Sequence, residues 1–484
     1  MTILKLRVLF ESTREEAAID FIKRNIAGTP YQGLVYIAGG YVRDEIMGRQ
    51  SKDIDLVIDQ DQGGIRFASW LCKKLGIYKE GSNPVVYPRF GTAMFTLRGI
   101  THMGENLHGL DIECAMPRAE ENERPNDRRS IIIKKTSMRG DAFRRDLTIN
   151  ALFKNISTGR LHDYTGMGLA DIKNKIIRTP VSPDQTYIDP KFGDALRMLR
   201  VIRFASQFGF RVEPDIINSL IRNKDALSNI SKERIREEFS KMLISPNPTL
   251  AIKMLIDTGL MDYIIPQFKS LVGLEQGVYH DKDAYGHTLD VLEKTLPEII
   301  PRLAALLHDI GKPITRQPNP RKEYEFLGHQ SEGALLARKI LKNLRYPNEV
   351  VDRVSKLVNR HMSLRTTRAE FPSDRTLRRF RRKVGPENID YALNLLRADY
   401  ESHPGADTEL FDKIQQRFDE LEEQEQAAPV PLVTGHDIIK TFGISQGPII
   451  GSMKKYLQQL YDEDPSIDKE TALIRLKEKF YPDD

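Results

Sequence analysis

Cysteine is almost absent: Cys72 and Cys114 are the only two in 484 residues, and no paired spacing relates them. A disulfide framework is therefore excluded. Long apolar runs are missing too. None approaches the roughly 18 residues that span a bilayer, which excludes a transmembrane helix. The opening MTILKLRVLFESTREE lacks a signal-peptide cleavage pattern and runs straight into a charged helical stretch. These absences predict a cytosolic protein with no membrane association. No self-similar period of about 20–50 residues occurs, so repeat architectures are excluded. A strong charge of one sign is also lacking, since 73 Lys and Arg against 68 Asp and Glu leave a formal +5. Nucleic-acid binding cannot rest on that total.

What is present is length and local bias. At 484 residues the chain exceeds the roughly 250 at which single cores stop growing, so two to four domains are expected. Arg124 to Arg160 holds ten Lys/Arg against three Asp/Glu, and Arg365 to Lys383 holds eight against two. Such blocks raise the local concentration of a polyanion, although a solvated basic face gives the same pattern. The first third mixes strand and helix signals. VYIAGG (35–40) reads as a strand, YVRDEIMG (41–48) as a short helix, and DIDLVID (53–59) as a half-exposed strand. GTAMFTLRG (91–99) and LDIECAMPR (110–118) read as further strands. From Pro190 onward the pattern turns helical and stays so. The acidic FDELEEQEQ (418–426) runs into AAPVPLVTG, a composition that suits a linker, and the last 55 residues read as a small helical unit.

The densest chemistry lies in GGYVRDEIMGRQSKDIDLVI, residues 39–58. A strand ending in Gly39-Gly40 and leading into a helix lets backbone N–H groups approach a phosphate with no Cβ in the way. Asp53 and Asp55 stand two apart on a strand, so both carboxylates leave one face. Such a pair can share hard cations such as Mg2+, which take oxygen ligands. Two metals so held activate an attacking hydroxyl and neutralise a leaving pyrophosphate. A glycine turn or an Asp-x-Asp pair alone is commonplace. Joined through Val42-Arg43-Asp44, with Gly40 and Asp53 thirteen apart, they are specific.

Here the chain resembles the nucleotidyltransferase superfamily, and within it the tRNA nucleotidyltransferase and bacterial poly(A) polymerase branch, whose GGxVRD…DxD motif it matches. The resemblance implies that Asp53 and Asp55 bind the catalytic Mg2+ ions, and that Gly40 and Arg43 contact the nucleotide's triphosphate. It also implies a third carboxylate from a neighbouring strand. Asp111 and Glu113 alternate on LDIECAMPR, and Glu113 is favoured because the family pattern has an acidic residue five before an arginine, here Arg118.

Residues 144–151, RRDLTINA, match the family's second motif. Arg144 and Arg145 can donate forked hydrogen bonds to phosphates or ribose hydroxyls. Asp146 and Asn150 supply short polar groups for a ribose or for fixing the arginines. The resemblance assigns Arg145 to the incoming nucleotide. LHDYTGMGLADIKNKIIRTP (161–180) resembles a hinge-like motif through Asp163, Gly166 and Asp171.

In DALRMLRVIRF (194–204), Asp194, Arg197, Arg200 and Arg203 recur every three residues, forming one polar stripe if the segment is a helix, with Leu196, Leu199 and Ile202 as its apolar face. Cytosine and adenine share an amino donor beside a ring-nitrogen acceptor on their pairing edge, whereas uracil and guanine present the opposite order. A carboxylate beside a guanidinium complements the first two alone. The resemblance assigns Asp194 and Arg197 to the base edge, with Arg200 and Arg203 supporting phosphates or that pair. Many members carry Glu-Asp here, whereas this chain has Gly193-Asp194. SKERIREEFSKML (231–243) resembles the following family helix, with Glu233, Arg234 and Glu238 near one face.

HTLDVLE (287–293), LAALLHDIGKP (303–313), FLGHQSEG (326–333) and LVNRHM (357–362) together resemble an HD domain. His308-Asp309 offers a nitrogen and an oxygen ligand, His287, His329 and His361 can converge on it, and Asp399 suits the closing carboxylate. Such sites bind transition metals or Mg2+ and activate water against phosphoesters. The resemblance implies either an active phosphohydrolase or a part of the tRNA-binding body. Residues 433–464 resemble a C-terminal unit that holds the tRNA elbow or far arm, with Gly443, Gly447 and Gly451 admitting phosphates at helix starts.

The expected fold class is an α+β nucleotidyltransferase palm, a small mixed sheet with helices, followed by an all-α neck, HD-type body and tail. The expected boundaries are a head at 1–178, a base-reading, RNA-binding neck at 179–270, an HD body at 271–405, an acidic linker at 406–432 and a tRNA-binding tail at 433–484. The expected activity is template-independent addition of CCA to the 3′ end of tRNA from CTP and ATP, with two Mg2+ in the head and a second divalent-metal site in the HD unit. The rivals are a poly(A) polymerase, a CC-only or A-only enzyme of the same family, and an HD-type phosphohydrolase whose head only binds. The intact Asp-x-Asp and Arg-Arg-Asp argue against the last. The end KEKFYPDD, with no long basic extension, favours tRNA over general RNA tailing.

Overall fold

The alternation around the Asp-x-Asp pair is realised, in a computed structural model, as the strand Ile54–Ile58 inside a seven-stranded mixed sheet. The structure describes residues 13–51, 53–122, 131–190, 192–277, 282–364, 371–403, 409–427, 433–464 and 466–481. Parts of both basic blocks, 124–130 and 365–370, lie outside the described residues.

The sheet is built from β1 (Val35–Ala38), β2 (Ile54–Ile58), β3 (Val85–Tyr87), β4 (Thr92–Thr96), β5 (Asp111–Ala115), β8 (Leu152–Asn155) and β9 (Leu161–Asp163); β6 (Arg118–Asn122) and β7 (Ile131–Lys135) form a separate hairpin. Its order is β9-β8-β1-β2-β5-β4-β3. The β2–β5 contact is parallel and the rest are antiparallel. Ile54, Leu56, Ile112 and Cys114 are buried, and a helix, Gly63–Lys74, packs on these strands through buried Phe67, Ala68 and Leu71. Alternation then leaves Asp53, Asp55 and Glu113 for the opposite, open face.

The helices that matter for the site are α1 (Gly40–Ile46), α2 (Met138–Phe143), α3 (Pro183–Ile188), α4 (Leu196–Phe208) and α5 (Lys232–Leu243). Helix α4 carries the arginine stripe and differs from expectation in two ways. Asp194 lies before its first turn rather than on it, where its Oδ1 accepts the Leu196 N–H at 3.1 Å. The apolar side is also wider than Leu196, Leu199 and Ile202, because Met198, Val201, Phe204 and Ala205 are buried as well. Helix α5 and a further helix, Pro248–Asp257, pack on it and enclose these side chains.

The chain divides into two compact units, Met1–Ile264 and Ile265–Asp484, so the expected head and all but the end of the expected neck share one unit. The second unit contains α6 (Ala284–Lys294), α7 (Ile299–Leu307), α8 (His329–Asn343), α9 (Asn348–Arg360), α10 (Asp374–Val384), α11 (Ile389–Glu401), α12 (Glu409–Ala427), α13 (Gly435–Phe442), α14 (Pro448–Glu463) and α15 (Lys469–Phe480). Three expectations need correction. The acidic stretch read as a linker is helical through α12, because Phe411, Ile414, Phe418 and Leu421 form a buried stripe beneath the charges. Short strands interrupt the all-helical reading after Pro190: Arg211–Val212, and a ribbon of Gln317–Asn319 with Glu323–Glu325. Gly443 ends α13 in a left-handed conformation, at φ +62°, and so starts no helix; Gly447 precedes α14 and Gly451 lies inside it. Among the described residues, no helix is long and apolar enough to cross a membrane.

Candidate active site

A cleft of about 980 Å3 in the first unit collects residues from β2, α1, the segment after α2, α4 and α5. Nine arginine and lysine side chains line it against five aspartates, so an excess of four positive charges, comparable to the +5 of the whole chain, is gathered in one cleft. That volume is ample for a nucleoside triphosphate.

The parallel register of β2 and β5 sets Glu113 directly opposite Asp55. Asp55 reaches solvent, yet enclosure by its surroundings, then Glu113 and Asp53, push its carboxyl up to about 6, with Arg145 offsetting part of the shift. Carboxylates crowded in this way are an oxygen-donor set whose repulsion a divalent cation relieves.

Gly39 turns from β1 into α1 at φ +69°, a conformation costly for other residues, and a Cβ there would stand 2.9 Å from Arg145 Nη1. Gly40 lines the cleft beside it. Arg43 lines the cleft while being largely buried. Its Nε and Nη2 donate to the Asp44 carboxylate at 2.9 and 2.8 Å, and its Nη1 donates to Asn150 Oδ1 at 2.6 Å. The guanidinium also lies over Phe204 and Phe208, at 5.1 and 4.8 Å from the ring centroids.

Arg145 is anchored in turn. Its Nε and Nη2 donate to Asp141 Oδ2 at 3.2 and 3.0 Å, and its Nη1 to the Asn150 carbonyl at 3.0 Å. Asp141 is fully buried and also accepts from Arg144 and from the Arg118 N–H. Burial alone would raise it, but Arg144 and Arg145 outweigh that and hold it below the usual carboxylate range. Sequence reasoning did not single out Asp141. The available signal was its place three and four residues before two arginines on one helical turn.

Asp146 accepts from Arg200 Nε and Nη2 at 2.7 and 2.6 Å and from Asn150 Nδ2 at 3.1 Å. Burial opposes its ionisation, and Arg200 with Asn150 more than reverses this. Arg203 Nε stands 3.2 Å from Glu238 Oε2, and its guanidinium covers the Phe204 ring. Asp194 meets Arg234 Nη2 at 2.8 Å, and Arg197 Nη1 donates to the Thr186 carbonyl at 3.4 Å. Glu233 is exposed on α5. The hinge-like residues lie outside the cleft lining. Asp163 accepts from the Gly166 and Leu169 N–H groups of its own turn, and buried Asp171 accepts the Thr148 hydroxyl at 2.6 Å.

In the second unit the histidines converge on Asp309. Its Oδ2 lies 3.1 Å from His308 Nε2, 3.9 Å from His287 Nε2 and 2.6 Å from Lys312 Nζ. Its Oδ1 lies 3.5 Å from His329 Nε2 and 3.9 Å from His361 Nε2. Asp399 Oδ1 is 2.9 Å from His287 Nε2, and His403 joins that group. His287, His308, Asp309, His329, His361 and Asp399 are all buried. Nδ1 of His308, His329 and His361 each donates to a main-chain carbonyl, which turns every Nε2 inward.

Comparison with known proteins agrees with this layout. The Poly A polymerase head domain family matches residues 35–178, a family described as the probable RNA and SrmB-binding site of polymerase A matches 209–271, and the HD domain family matches 285–422. An A-adding tRNA nucleotidyltransferase of Deinococcus radiodurans is 31% identical over 67% of this chain and 75% of its own. The structure of a CCA-adding enzyme of Bacillus stearothermophilus in complex with CTP shares the fold, with a TM-score of 0.67 at 21% identity over 97% of this chain and 98% of that one. A CC-adding tRNA nucleotidyltransferase of Thermus thermophilus is 30% identical over 90% of this chain and 91% of its own length. Similarity that runs through head, helical region and HD domain alike leaves a single assignment: the protein belongs to the tRNA nucleotidyltransferase and poly(A) polymerase family, as a nucleotidyltransferase that also carries an HD domain.

Proposed function

We propose that the protein completes the 3′ end of tRNA in the cytosol, adding CCA from CTP and ATP without a nucleic-acid template and releasing pyrophosphate. The observation that carries this reading is that Asp53 and Asp55 share one cleft with Asp194 and Arg197. Carboxylates suited to nucleotidyl transfer and a pair suited to reading A and C then act on the same nucleotide.

Asp53, Asp55 and Glu113 would hold Mg2+. When bound, it neutralises the triphosphate and favours attack of the tRNA 3′-hydroxyl on the α-phosphate. Arg145, fixed by Asp141, secures the triphosphate above the Gly39-Gly40 turn. Arg43, tied to Asp44 and Asn150, holds α1 against α4 and keeps that turn in place. Asp194 accepts from the exocyclic amine of C or A, and Arg197 donates to the adjacent ring nitrogen. A bound U or G leaves these groups unsatisfied at about 1–3 kcal/mol each. Arg200 and Arg203, paired with Asp146 and Glu238, lock the reading helix to the head.

The test is addition to tRNA ending at its discriminator base, with CTP and ATP separately and together, followed by sequencing of product ends. CCA is expected with both nucleotides. CC alone, A alone or a long A tail would replace the proposal by the corresponding relative's activity, and no extension would contradict it.

A second reading, that the HD centre binds a divalent transition metal, is favoured by one contact. His329 Nε2 and His361 Nε2 face each other at 3.2 Å, while both Nδ1 protons are committed to carbonyls. Burial lowers both groups, His361 to about 3, so at neutral pH neither Nε2 carries a proton to share. Two lone pairs therefore face Asp309 Oδ1, at 3.5 and 3.9 Å, and a metal would satisfy all three. His287, His308 and Asp399 would complete the donor set. An HD-type phosphohydrolase activity would require this centre.

A further inference from the structure

We propose that Arg234, on α5, is the positioning residue for base choice, pinning the Asp194 carboxylate from outside the reading helix. The inference rests on the reading above, in which Asp194 and Arg197 meet the base edge.

Asp194 precedes α4 and has no helical turn beneath it to orient its side chain. The torsion that spins an aspartate carboxylate is broad, so an unpinned group presents its oxygens over a range of directions. Here each oxygen has a donor. The Leu196 N–H reaches Oδ1 at 3.1 Å, and Arg234 Nη2 reaches Oδ2 at 2.8 Å. Those two donors set the carboxylate plane. Asp194 is buried, whereas the Arg234 side chain is 39% exposed and lines the same cleft. On the other side, the Thr186 carbonyl accepts both the Asp194 N–H, at 3.2 Å, and Arg197 Nη1, at 3.4 Å. The two reading groups thus share one backbone anchor, and Arg234 adds a charged hydrogen bond to the carboxylate.

Position 193 cannot take over this work. A Cβ on Gly193 would stand 2.5 Å from the Asp189 nitrogen and 2.7 Å from its carbonyl oxygen. Both are backbone atoms, so any side chain there forces the turn before α4 to move. The anchor therefore comes from a helix forty residues further along the chain.

Arg234→Gln, Arg234→Lys and Asp194→Ala are compared with wild type in single-nucleotide addition to tRNA, using each of the four triphosphates. Arg234→Gln is expected to shrink the preference for CTP and ATP over UTP and GTP by about tenfold, mainly through kcat for the correct nucleotides. Its thermal midpoint should match wild type, Arg234→Lys should recover part of the preference, and Arg234→Gln should add nothing in the Asp194→Ala background. Unchanged preference in Arg234→Gln, with preference lost in Asp194→Ala, overturns the role of Arg234 and spares the base-reading assignment. Preference retained in Asp194→Ala overturns both. An additive loss in the double variant overturns the inference as well, since Arg234 would then act without Asp194.

Discussion

Asp55 faces Glu113 across a parallel ladder, and its carboxyl is raised to about 6. A group whose folded value lies above its unfolded value of about 3.9 binds protons more tightly when folded. Its contribution to stability is therefore present at low pH and lost as pH rises through about 6. In EDTA, Asp55→Asn should match wild type in thermal midpoint near pH 4 and exceed it increasingly up to pH 7. A difference independent of pH would contradict the account. At this scale the shared face of Asp53 and Asp55 was legible from strand alternation, whereas alternation left Asp111 and Glu113 equal, and only the parallel register sets Glu113 opposite Asp55. The burial of Arg43 was not legible, since it depends on Phe204 and Phe208, about 160 residues away. The role of Asp141 was hidden for another reason. The task of fixing its arginine partners was offered to Asp146 and Asn150, which follow them in the motif, whereas the carboxylate that holds them precedes it.

Among elements, four of the seven strands of the sheet were readable, while β3, β8 and β9, only three or four residues long, were not, and α4 was readable from its arginines every third residue. That spacing could not tell a solvated stripe from an enclosed one, because the enclosure comes from α5 packing across it. Composition misled at α12, where a run of charged and amide residues hides the four buried apolar residues that make the helix pack. In the HD unit the ligands come from α6, the end of α7, the start of α8, the end of α9 and α11, so the site exists only once these elements assemble. Purified protein saturated with Mn2+ or Ni2+ and then desalted should retain metal by elemental analysis. His329→Ala with His361→Ala should release it with little change in nucleotide addition. Equal metal content in wild type and variant would refute the centre.

For the whole molecule, the two compact units divide the chemistry: the transfer cleft lies in the first and the histidine centre in the second. Family membership was readable because three separated motifs survive in order. The kind of end produced was not, since relatives of similar identity bear CC-adding and A-adding names. The central claim is that a carboxylate cluster in the first unit performs the transfer while other surfaces bind the RNA. Asp53→Ala combined with Asp55→Ala tests it most directly, by measuring single-turnover addition of CTP to tRNA alongside tRNA affinity. Addition should fall by about a thousandfold or more, with tRNA affinity held within about threefold. Addition near the wild-type rate by that double variant would contradict the account.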